Sequence, residues 1–88
     1  MSSATTATVQ PMLQPALAEA QDPFRLGMMY ATGASAPADM VAAHKWFNIA
    51  AMCGNAEAAR LRREIAEEMS HAEIAAAQRA ARAWMTRH

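Results

Sequence analysis

Two stretches decide how this sequence reads: Leu26-Gly-Met-Met-Tyr-Ala-Thr-Gly33 and Ala43-His-Lys-Trp-Phe-Asn-Ile-Ala-Ala-Met-Cys-Gly-Asn-Ala-Glu-Ala58. In the second, Ala43, Trp46, Phe47 and Ala50 recur at helical spacing and lay one apolar stripe along a helix. Gly54 follows where a left-handed residue closes a helix, and Asn55 can cap the next one. In the first, Leu26 and Tyr30 lie one turn apart, and Gly33 supplies the stop. Gly27 sits inside that helix and costs it about 1 kcal/mol relative to Ala. A residue with that cost predicts the close approach of a neighbouring helix.

Working outward, Asp22 can cap the first helix, with Pro23 at its first position, where the missing N–H costs nothing. Pro37 cannot lie in a helix interior, so the second helix is expected to start near Ala38 or Asp39 and to run to about Cys53. The third, capped by Asn55, carries Ala58, Leu61, Ile65 and Met69 as its stripe and is expected to end near Met69. Ser70-His-Ala-Glu73 reads as a capping box, with Met69 and Ile74 at the staple positions around it. The fourth helix then carries Ile74, Ala77, Ala81, Trp84 and Met85 on one side and frays near His88. Residues 1 to about 10 are rich in Ser, Thr and Ala and read as a disordered tail. Pro15 to Ala20 could form a short turn of helix, so residues 1–21 are taken as a disordered or partly helical tail and 22–88 as the domain.

The composition agrees with helix. Hydrophobic residues make up 53% of the 88, but most of these are Ala. The large side chains expected to carry the core are Leu26, Tyr30, Trp46, Phe47, Ile49, Leu61, Ile65, Ile74 and Trp84. Eight Lys and Arg balance eight Asp and Glu, which leaves no long-range field to collect a polyanion. A nucleic-acid partner is therefore not expected. The start of the chain lacks the basic and apolar regions of a secretory signal, and no stretch approaches the length of a membrane span. With a single cysteine, Cys53, no intrachain disulfide is possible. The expectation is a cytoplasmic protein.

The quoted stretches resemble the Sel1-like repeat, a relative of the tetratricopeptide repeats, which have a period of about 34 residues. Leu26, Gly27, Tyr30, Gly33, Asp39, Ala43, Trp46, Ala50, Ala51 and Gly54 match its pattern in order. The turn departs from it, with Ser35 and Ala36 where Gly and Val are usual. The resemblance covers residues 22–58. Asn55–Trp84 keeps the helix-turn-helix outline without the Gly and Tyr, and reads as a terminal capping hairpin, of the atypical kind that ends such arrays. The resemblance implies an all-α fold, a short α-α superhelix of two antiparallel helical hairpins. It also implies a non-enzymatic scaffold, adaptor or regulatory protein, typically bacterial, that binds another protein. Repeat arrays normally need about three units, and this chain offers fewer, so a second copy could complete the stack.

For chemistry, no pair among His44, His71, His88 and Cys53 has the spacing of a zinc motif. They read as exposed histidines and a packed cysteine. The acidic residues sit beside arginines on helical faces, with Arg60–Glu64 and Arg63–Glu67 as i,i+4 pairs. No nucleophile elbow, phosphate loop or dinucleotide fingerprint is present. No catalytic residue, cofactor or metal is expected. Eight methionines raise the alternative of a soft binding groove on the first and third helices, since Met adapts to varied partners. Its candidate lining is Arg25, Met28, Met29, Thr32, Arg63 and Glu67, set against the simpler reading of Met as core filling. A second surface is Gln78, Arg79, Arg82, Trp84 and Met85, unless Trp84 folds inward over Leu61 and Ile65.

Overall fold

The computed structural model of the protein describes residues 22–34 and 36–87. The expected tail over 1–21 lies outside them, as does His88. The described residues form helices α1 (Pro23–Thr32), α2 (Met40–Met52), α3 (Ala56–Ala66) and α4 (His71–Arg87), with no strand among them. The fold is all-α.

Each helix begins where a side chain can satisfy an orphan backbone N–H. Asp22 accepts from the Arg25 N–H at 3.3 Å, Asp39 from Ala42 at 3.1 Å and Asn55 from Ala58 at 2.9 Å. Ser70 and Glu73 form the full capping box. The Ser70 N–H donates to Glu73 Oε1 at 2.8 Å, and the Glu73 N–H donates to Ser70 Oγ at 3.1 Å. Met69 is buried and Ile74 packs against the same core, which completes the staple.

The helix ends are equally specific. Gly33 is left-handed (φ 73°) and its N–H donates to the Met29 carbonyl at 2.9 Å. The loop that follows is tied back by the Asp39 N–H, which donates to the Tyr30 carbonyl at 2.9 Å. After α2, the Gly54 N–H donates to Ala51 and the Asn55 N–H to Ala50, both at 3.0 Å, with Gly54 at φ 102°. This is the Schellman arrangement. Asn55 therefore closes one helix with its backbone and opens the next with its side chain.

The third helix ends earlier than Met69. From Glu67 onward the N–H groups of Glu67, Glu68 and Met69 donate three residues back, to Glu64, Ile65 and Ala66. This tightening of the last turn carries Met69 into the core, where it is 8% exposed, as the residue before the Ser70 cap.

α1, α3 and α4 each pack against α2, which is the hub of the fold. That position explains the width of its buried arc: Ala43, His44, Phe47, Ile49 and Ala50 are all buried. The core continues through Ala58, Ile65 and Met69 to Ala77, with Ala81 buried beside it on α4. Of the large residues expected to carry it, Phe47, Ile49 and Ile65 are buried, while Leu26, Tyr30, Trp46, Leu61, Ile74 and Trp84 are half-buried. The close approach predicted at Gly27 is made by Phe47. A Cβ at Gly27 would lie 2.5 Å from two carbons of that ring, and Phe24 closes the other contact with its centroid 5.9 Å away.

Candidate functional site

Arg25, Met28 and Thr32 are exposed on α1, Met29 is half-buried there, and Arg63 and Glu67 are exposed on and just after α3. The groove they were expected to line is not closed by helix packing, because α1 and α3 each dock on α2 rather than chiefly on each other. Thr32 is engaged locally: its hydroxyl donates to the Met28 carbonyl at 2.8 Å and accepts from the Ala34 N–H at 3.3 Å. That makes it a cap of α1.

Arg63 and Glu67 form no ion pair, Glu67 being the C-cap of α3. Arg60 does pair, with Glu64 and also with Glu57, both in ion-paired hydrogen bonds. These bonds to Arg60 hold the Glu57 carboxyl below the usual carboxylate range. All three side chains are about half exposed, so the triad is a solvated helix face whose pairs contribute little to stability.

On the second predicted surface, Gln78, Arg79, Arg82 and Met85 are exposed. Trp84 meets the Trp46 ring edge-on, with centroids 5.3 Å apart and planes at 75°, instead of covering Leu61 and Ile65. The reason is that α4 docks on α2. Lys45 Nζ lies 4.3 Å from the centre of the Trp46 ring, a cation–π contact. Burial, and then the charge of Arg87, lower the Lys45 pKa.

The expectation of exposed histidines and a packed cysteine is reversed at α2. His44 is 3% exposed, and Cys53 is exposed. His44 lies one turn before Asn48, on the arc that α2 turns towards its neighbours. Cys53 lies past the last helical residue and falls off that arc. Arg62 of α3 reaches across to α2 and donates to Asn48 Oδ1 at 2.5 Å. His44, Asn48 and Arg62 are thus a polar group at the α2–α3 contact that the sequence reading did not single out. Its one sequence signal is the His44/Asn48 spacing, which puts two polar side chains on one face of a helix whose only other polar residue is Lys45.

Among the described residues no group of three or more His, Cys, Asp or Glu is placed to hold a metal ion. No described helix is long and apolar enough to cross a membrane. Compared with protein-family models, with curated proteins and with solved structures, the chain matches none.

Proposed function

We propose that this chain is a small interaction module of the Sel1-like helical-repeat type, a scaffold or adaptor that binds another protein without catalysing a reaction. The observation that carries the reading is the fit between the repeat-defining residues and roles that depend on their identity. Gly27 is the seat of the Phe47 ring, and Gly33 and Gly54 hold left-handed turns. Asp39 caps α2, Ala43 and Ala50 are buried, and the Ala50 and Ala51 carbonyls accept the closing bonds of the α2–α3 turn. In this reading α1 with α2 is the repeat, and α3 with α4 is the cap that ends a short superhelix of hairpins. The face offered to a partner includes Arg25 and Met28 of α1, with Met29 behind them.

The test is affinity capture by the full chain from the cells that make it, beside an R25E/M28E variant whose circular dichroism matches. A protein retained by the first and lost by the second is the expected result. Equal retention by both moves the binding face off α1, and no retained protein at all counts against the reading. A second reading, self-assembly through the same face, is favoured by Met28, which stays 38% exposed on a helix supported chiefly by α2. It predicts a dimer in light scattering that R25E/M28E converts to a monomer.

A further inference from the structure

Inside the α2–α3 contact, His44 is 3% exposed and its Nδ1 is fully buried without a hydrogen-bond partner. One turn further along α2, Asn48 Oδ1 accepts from Arg62 of α3. The guanidinium is thereby fixed on the α2 side of α3, against a residue one helical turn from His44. We propose that His44 is an acid-sensitive latch for α3: protonating it sets a buried cation one helical turn from the contact that the half-buried Arg62 makes with Asn48, so that α3 is released from α2.

Apart from Arg62, the charged groups of α3, Glu57, Arg60, Arg63 and Glu64, are exposed, and on α2 itself Lys45 is half-buried. Arg25 of α1 and Glu73, Arg79, Arg82 and Arg87 of α4 are exposed, as is His71, and Tyr30 of α1 is half-buried. Burial, and then the charge of Arg62, lower the pKa of the imidazole from the ordinary 6.5, against a smaller raising effect of its own backbone. With the closed state resisting the proton, the open state binds more protons as pH falls below 6.5. The α3 contact therefore holds fully above that pH and weakens as pH drops through it. Each pH unit between the ordinary and the lowered value favours opening about tenfold. An open α3 would uncover Ala58 and Ile65, two of the core residues.

The experiment is hydrogen exchange on the full chain, read as protection factors helix by helix from pH 7.5 to 5.5, with an NMR titration of the His44 ring. Protection in α3 is expected to fall as pH drops while α1 and the first half of α2 keep theirs, and the ring is expected to titrate below an ordinary histidine. H44Q should abolish the change, and H71Q should keep it. R62Q should raise the His44 pKa. A ring that titrates at or above the ordinary value overturns the latch. So does an equal loss of protection in every helix, which would make His44 a term in global stability only. Should H44Q fail to fold, the wild-type titration and the exchange pattern decide alone.

Discussion

At the residue scale the informative position is Gly27, because two opposing effects can be weighed there. Replacing it with Ala gains about 1 kcal/mol of helix propensity. The added methyl would lie 2.5 Å from two ring carbons of Phe47, a ring itself 1% exposed and packed on Phe24. Overpacking a close-packed core costs about 1–3 kcal/mol, and a ring held on both sides has little room to move. The clash wins, and G27A is expected to lower stability by about 1–2 kcal/mol in urea unfolding. A double variant, G27A/F47L, is expected to recover part of that loss, because the smaller side chain vacates the space. Additive losses in the double variant would show that the Gly27–Phe47 contact is not the cause. The glycine was legible as a close approach from its cost alone. The identity of the ring was not: choosing Phe47 among the large side chains expected in the core requires knowing how α2 is rotated about its own axis.

At the element scale, starts and stops were legible because each is written in a few adjacent residues. Asp22-Pro23, Asn55 and Ser70-x-x-Glu73 are caps whose bonds span at most three residues, so tertiary structure has little chance to overrule them. Gly54-Asn55 is similar, closing α2 and opening α3 in two residues. The end of α3 was placed three residues late, because nothing in Glu67-Glu68-Met69 breaks a helix. The tight turn there is required by the capping box at Ser70, which needs Met69 outside the helix and against the core. This makes the box the hinge between two elements as well as a helix start. S70A is expected to cost about 1 kcal/mol, the usual loss for such a cap, measured as a lowered urea midpoint with unchanged slope. A neutral result would mean that the staple of Met69 and Ile74 fixes the turn without the hydroxyl.

At the scale of the molecule, what was not legible follows from α2 being packed on by all three other helices. A single stripe of Ala43, Trp46, Phe47 and Ala50 suits a helix with one neighbour. With three neighbours the buried arc widens to take in His44 and Ile49, and α4 brings Trp84 to Trp46 rather than to α3. The same architecture limits stability. Among the described residues nine apolar side chains are buried: Phe47, Ile49, Ile65 and Met69 are large, and the other five are alanines. With so few large side chains fully buried, and the rest of the large apolar residues only half covered, the core is thin for the chain it must order. The chain is therefore expected to melt cooperatively at modest temperature. Any protein that binds the folded state should raise that midpoint by mass action. This separates the two readings of its role without knowledge of a partner. A monomeric module waiting for a different protein has a midpoint that does not change over a hundredfold range of its own concentration. A self-assembling one has a midpoint that climbs with concentration, alongside a rising mass in light scattering. The interaction-module reading requires the flat line. A climbing one would mean that the ligand of this fold is a second copy of itself, and that Met28, Met52 and Met85, the large apolar residues left exposed, should be searched first for the contact.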